Sequence, residues 1–248
     1  MSKVSLHWFR KDLRLSDNPA LRAALAQGDE TVCVFILDPD SEGALPVGAA
    51  GAWWLHHSLT ALAQDIAALG GHLILRRGPA RRCLEDLCQE TGATAVYWNR
   101  CYEPDAIARD SEVKQHLKDQ GLLVESFNGS LLHEPWEVKT KIGGSYGVFS
   151  PFWKAELELG DLPRPFQKPG ALNSPAQAIA SDTLADWALL PTKPDWAGGM
   201  RESWTPGEVG ARQRLGDFLD SIAQRYDDTR NRPNIAGKPR LSPHLPPG

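Results

Sequence analysis

The 248-residue sequence contains no apolar run approaching the roughly 20 residues that a bilayer span requires, so no membrane helix is expected. Its first residues, MSKVSLHWFRKDLRL, have neither an apolar h-region nor a small-residue cleavage site, so no signal peptide is expected. Cysteine is scarce. Cys33, Cys83, Cys88 and Cys101 form no CxxC pair, which argues against a zinc site. Cys33 lies in an apolar run and Cys83 and Cys88 in a helical pattern, so free thiols buried in a reducing, cytoplasmic protein are the expectation. The net charge of -4 gives no general attraction to nucleic acid and leaves room only for a local basic patch. No GxGxxG follows the first strand-like segment, so a standard dinucleotide site is unsupported. Internal repeats and low-complexity stretches are also missing.

What is present is an alternation of two periods. Val4–Phe9, Thr31–Leu37, His72–Arg76, Ala95–Asn99 and Leu122–Phe127 read as strands; Thr31–Leu37 (TVCVFIL) is apolar throughout, as a strand covered on both faces should be. Helical patterns lie between them. Pro19–Gln27 opens with Asp17-Asn18-Pro19, a cap followed by proline at the first helical position. Ala50–Leu69 repeats apolar residues at Leu55, Leu59, Leu62, Ile66 and Leu69 and stops at Gly70-Gly71. Ala80–Glu90 and Asp105–Gln120 complete the series. The prediction is an α/β fold with a five-stranded parallel Rossmann-like sheet and helices on both faces. Function in such sheets gathers at the C-terminal ends of strands. Here those ends are charged loops: Phe9-Arg10-Lys11-Asp12, Asp38-Pro39-Asp40, Arg76-Arg77-Gly78 and Asn99 to Asp105. Taken alone, Arg10, Lys11, Asp12 and Arg14 read equally well as surface ion pairs or as a ligand-facing loop.

From about Gly129 the alternation fails. Residues 160–207 are rich in Pro, Gly and Trp, a connector longer than one compact domain normally carries, with Trp187, Trp196 and Trp204 as its expected anchors. Glu208–Tyr226 is then amphipathic, with Leu215, Phe218, Leu219 and Ile222 on one face, and reads as the first helix of an all-α domain. The adjacent His56 and His57 on a helix face different ways and do not suggest a shared metal.

Five segments in order, WFRKDLRLSDNPAL, CVFILDPD, AVYWNRCYEPDAIARD, YGVFSPFWKA and RYDDTRNRPNIAGKPRLSPHL, resemble the DNA photolyase and cryptochrome family. The resemblance runs over essentially the whole chain but only about the N-terminal half of a complete family member. It implies an α/β antenna domain over residues 1–130, a connector over 131–207 and the start of a helical FAD-binding domain over 208–248. It also implies light-driven repair of pyrimidine dimers in damaged DNA by FAD, with a folate, deazaflavin or flavin as a possible antenna chromophore.

By the same resemblance Tyr226 contacts FAD, and Lys238, Pro239, Arg240, Leu241 and Ser242 match the loop that holds its phosphates. The family has Thr-Ser where this chain has Lys238-Pro239, and proline has no N–H to offer. Arg230 matches a residue near the DNA phosphates. For the antenna, the folate mode uses an Asn-Glu pair that aligns with Asp105 and Ala106, so its carboxylate is absent. A deazaflavin or flavin near Arg10, Asp38 and Arg109 remains, as does no antenna. Asp105 also reads as a helix N-cap. Tyr146–Trp153 reads as core packing, and His244 as structural or exposed.

The family sequence continues where this one ends in Pro246-Pro247-Gly248. The expectation is therefore an N-terminal fragment, monomeric, that binds FAD weakly or not at all and repairs nothing alone. The exposed apolar face of Glu208–Tyr226 would favour aggregation. A blue-light photoreceptor of cryptochrome type, or a stand-alone antenna-binding module, are the alternatives.

Overall fold

A computed structural model describes residues 2–39, 47–161 and 164–245. Asp40, in the loop after the second strand, and Pro246-Pro247-Gly248 lie outside the described residues. Five parallel strands, β1 (Val4–Phe9), β2 (Glu30–Leu37), β3 (Leu73–Arg77), β4 (Ala95–Asn99) and β5 (Leu123–Phe127), form one sheet in the order β3-β2-β1-β4-β5. The helices α1 (Pro19–Gln27), α2 (Ala49–Ala67), α3 (Ala80–Thr91) and α4 (Pro104–Asp119) make the crossovers. This is the predicted Rossmann-like α/β arrangement.

Both faces of the sheet are covered. Trp8, Leu6, Val34 and Val96 pack beneath Leu84 and Leu87 of α3 and Val113 and Leu117 of α4. On the opposite face Phe9, Cys33 and Phe35 pack against Leu59, Leu62 and Ile66 of α2, while Ala20 and Ala24 of α1 sit on Ala95 and Tyr97. That double coverage explains why β2 is apolar along nearly its whole length and why even Ser5 and His7 of β1 are buried. Asn18 caps α1 by accepting from Leu21 N, with Pro19 next in line, as the sequence suggested.

The chain beyond β5 holds α5 (Phe149–Glu158), α6 (Gly198–Ser203), α7 (Glu208–Ser221) and a short α8 (Tyr226–Thr229). Four expectations need correction here. Tyr146–Trp153 is not core: Phe149 is 71 % exposed and stacks on the exposed Trp153 along the outside of α5. Of the three tryptophan anchors, Trp187 is buried against Phe35 and Trp204 packs on Trp54, but Trp196 is exposed. The helix from Glu208 ends at Ser221 rather than at Tyr226. Ser221 Oγ bonds back to Asp217 O, and a 3-10 turn over Ala223–Arg225 follows. The N-cap of α4 is Glu103, not Asp105, because Pro104 takes the first helical position. Of the apolar face anticipated for this segment, Leu215 and Leu219 are exposed, while Phe218 and Ile222 are half-buried. No helix among the described residues is long and apolar enough to cross a membrane.

Candidate functional site

The strand order places β1 beside β4 although the chain leaves them in opposite directions, which makes their C-terminal ends the topological switch point of the sheet. Two polar clusters flank it. On the α1 side Asp12 accepts from Arg10 N at 2.9 Å, from Asn99 Nδ2 at 2.5 Å and from Asn18 Nδ2 at 3.4 Å. Asn99 Oδ1 in turn accepts from Ala20 N at 3.2 Å. His7 sits at the base of this cluster, and burial, against the pull of Asp12, lowers its pKa to about 4, so the ring is neutral at pH 7. Apart from His7 Nδ1, which has no partner among the described residues, these groups satisfy one another, and their effect is to lock the β1 loop, the start of α1 and the end of β4 together. Gly129 closes the cluster: a side chain there would meet Asn99 at 2.6 Å.

The α4 side differs. The Arg10 side chain is almost fully buried, and its Nη1 donates to Asp110 Oδ2. Arg109 donates to the other oxygen of the same carboxylate through Nε at 3.1 Å and Nη2 at 2.9 Å. The guanidinium carbons of Arg10 and Arg109 lie 4.8 and 5.3 Å from the Trp8 ring centroid. One carboxylate therefore serves two guanidiniums over an indole face. Three buried donors in this spot, Arg10 Nε, Arg10 Nη2 and Trp8 Nε1, have no hydrogen-bond partner among the described residues. Buried polar groups are rarely left so, and each orphan costs about 1–3 kcal/mol unless something accepts from it. Cys101 stands nearby, its thiol pushed up chiefly by burial. An ion pair between Lys11 and Glu103 links the β1 loop to the N-cap of α4.

Sequence reasoning named Arg10, Asp38, Asp105 and Arg109 for this region. The structure brings Arg10 and Arg109 together. Asp38 follows the neighbouring strand; its Oδ2 accepts from Ala80 N at the start of α3 at 3.1 Å, and its buried Oδ1 has no partner among the described residues. Asp105 is exposed on the first turn of α4 and is not drawn into the cluster. Trp8 and Asp110 were not singled out. Trp8 looked like one more apolar strand residue, and Asp110 like one more charge on a helix; only the packing of α4 across β1 joins them.

Further along the chain Tyr226 is half-buried and meets Phe218 edge-on at 5.6 Å, with the exposed Arg230 guanidinium 5.9 Å from its ring. Lys238, Arg240 and Ser242 are exposed, Pro239 and Leu241 half-buried, and Arg240 adopts a left-handed backbone with φ 52°. His244 anchors this loop by packing against Trp54 at 4.9 Å and Trp204 at 6.2 Å. Glu208 docks α7 onto the β1–α1 loop: its Oε2 accepts from Leu15 N at 3.0 Å and Ser16 N at 3.4 Å. Its Oε1 accepts from Arg212.

The DNA photolyase family profile matches residues 5–170, which spans the sheet, both polar clusters and the start of the connector. The chain belongs to the DNA photolyase family. It is 49 % identical over 242 residues to a deoxyribodipyrimidine photo-lyase of Agrobacterium fabrum, covering 97 % of this chain and 50 % of that protein. It is 33 % identical to Cryptochrome-1 of Arabidopsis thaliana, over 97 % of this chain and 35 % of that protein. Among solved structures, a bacterial class III photolyase from Agrobacterium tumefaciens superposes with a TM-score of 0.94 at 46 % identity, covering 99 % of this chain and 50 % of that one. The chain thus spans about half the length of the photolyases it matches.

Proposed function

We propose that this chain is the light-gathering half of a photolyase-type protein. Residues 1–130 form an antenna domain, 131–207 a connector, and 208–248 the first part of a helical FAD-binding domain. The observation that carries the reading is the set of orphaned donors on Arg10 and Trp8, beside Arg109, at the β1–β4 switch point. A planar chromophore with a negatively charged or strongly accepting group fits such a site. Arg10 and Arg109 would hold the acceptor, and Asp110 keeps both guanidiniums oriented. A bound folate, deazaflavin or flavin would supply light absorption there.

The Lys238–Ser242 loop supports FAD binding less well. Pro239 offers no N–H where the family's serine would. With Tyr226 and Phe218 the loop makes one wall for a flavin, and water exclusion needs several. FAD, when bound in a photolyase, supplies the electron that opens a pyrimidine dimer in damaged DNA, and Arg230, exposed beside Tyr226, would contact a DNA phosphate; this chain alone is expected to lack that activity. The 49 % identity to the photo-lyase of Agrobacterium fabrum supports a repair lineage, while other photo-lyases, at 30–37 %, lie in the same range as the cryptochromes, at 32–35 %. The four free cysteines suit a reducing, cytoplasmic setting, and a monomer is expected.

The test is gel filtration after incubation with a methenyl folate, a deazaflavin, FMN or FAD, followed by absorption spectra. One antenna pigment should co-elute at 1:1 and be lost in Arg10→Ala, while FAD should not be retained at that ratio. Retention of none of the pigments would sink the antenna reading, and a stable FAD complex would sink the incomplete-pocket reading.

A further inference from the structure

The last part of the chain is seated on α2 through aromatic rings. Trp54 of α2 meets Trp204 at 5.8 Å and His244 at 4.9 Å, and His244 lies 6.2 Å from Trp204. On the same helix the buried Trp53 is met edge-on by His57 at 4.4 Å, with His56 5.3 Å from His57. The connector runs tight against α2 at Gly207, where a side chain would meet Ala61 at 2.8 Å. His244 is the ring that the Lys238–Leu245 loop contributes to this seat. It stands in a 3-10 turn closed by His244 N donating to Leu241 O at 2.8 Å and Leu245 N to Ser242 O at 3.3 Å.

His56 Nδ1 and His244 Nδ1 are buried with no hydrogen-bond partner among the described residues. A neutral imidazole can leave one nitrogen bare and unprotonated. An imidazolium carries N–H at both, so here it would bury a charged donor with nothing to accept from it. The surrounding charges do not favour that proton. Arg214 of α7 lies 5.0 Å over the Trp204 ring, already occupying one aromatic face that a cation could use. Arg201 of α6 acts on His57 and is itself paired with Asp195, with Glu202 near it. Glu208, next to Gly207, is bonded to Leu15 N, Ser16 N and Arg212. Lys238 and Arg240 on the loop itself are exposed cations. Burial, His56 and Arg201 hold the pKa of His57 below the usual histidine range. Burial and Arg214 do the same for His244, against a hydrogen bond to the Gly207 backbone.

We infer that these imidazoles form an acid-operated latch on the second half of the chain. Neutral, they hold Lys238–Leu245 and the end of the connector against α2; protonated, they let that seat open while the sheet stays folded. The sign follows from burial. An opened ring takes its proton at the ordinary 6.5, a seated one only at lower pH. The seat is therefore closed above about pH 6.5 and loses stability as pH falls below it. One unit below that value an opened imidazole is about tenfold more protonated than neutral, so each latch ring shifts the equilibrium toward opening by up to about tenfold.

Amide hydrogen exchange of the whole chain at about pH 7.5 and about pH 5.5, corrected for the intrinsic rates, tests this together with an NMR titration of the histidine rings. Protection at His244 and Leu245 should fall about tenfold on acidification relative to that at Val32–Ile36 of β2. His244→Phe keeps a ring against Trp54 and Trp204 without a titrating nitrogen, and should remove most of that fall. No protection of these two amides at the higher pH, or protection that does not change, would overturn the inference. So would a fall that His244→Phe leaves intact, or an equal fall at Val32–Ile36, which would report unfolding of the sheet. In the unmodified chain a His244 ring that titrates at or above 6.5 would overturn it independently of any variant.

Discussion

Replacing Glu208 by glutamine should loosen the attachment of α7 to the sheet domain, by an amount the structure bounds. The carboxylate is 14 % exposed and accepts from two backbone N–H groups, Leu15 and Ser16, and from Arg212. Burial acts to raise its pKa, but the bonds from Ser16, Arg212 and Leu15 outweigh it and bring the value from 4.5 down to about 2. Unscreened, a shift of that size corresponds to about 3 kcal/mol. Arg212 is 65 % exposed, so solvent screening takes a large share, and about 1–2 kcal/mol remains. The sign follows from the depressed value. The ionised group stabilises the fold above its ordinary pKa, and that contribution disappears as pH falls from about 4.5 toward 2. Thermal melts of both proteins should differ by about 2–8 °C at pH 7, taking roughly 2–4 °C per kcal/mol for a chain of this size. The gap should narrow steadily below pH 4.5. A gap independent of pH, or none at pH 7, would refute the account of Glu208 as a charge-assisted clasp.

Other expectations follow from single contacts. Asp110→Asn leaves Arg10 and Arg109 sharing a neutral amide in a buried site; a loss of about 3 kcal/mol in urea unfolding is expected, and an unchanged midpoint would contradict the shared-carboxylate geometry. Burial raises the Cys33 and Cys88 thiols to about 12, so both should resist a thiol reagent at pH 8 in the folded protein and react after denaturation; prompt labelling of either would contradict their burial. Gly129→Ala places a methyl group 2.6 Å from the Asn99 side chain, so it should cost about 1–3 kcal/mol by disturbing the Asp12–Asn18–Asn99 network; a neutral melt would show that Asn99 has room to move.

Much of the sheet domain was legible in the sequence because its signals are local. A strand covered on both faces must be apolar throughout, as Val32 to Ile36 are, and a helix in contact with a sheet must repeat apolar residues every three or four positions, as Leu59, Leu62 and Ile66 do. Asn18 and Pro19 announce a helix start through the bonding needs of its first turn. The loops at strand ends follow from that order, which brings Arg10 to a strand end, whereas Arg109, in the body of α4, was named only through the family resemblance. Beyond Gly129 the local signals give out. The aromatic run at Phe149–Trp153 carries the composition of a core, yet α5 holds it outside, because burial depends on what packs against a segment and not on its residues alone. The same holds at the site. That Asp110 holds both arginines, that Trp8 lies beneath them, and that the β3 edge of the sheet is closed by Ser174, Ser181 and Asp182 are long-range facts. They depend on how α4 and the connector settle against strands far away in the chain, and only the tertiary structure decides that.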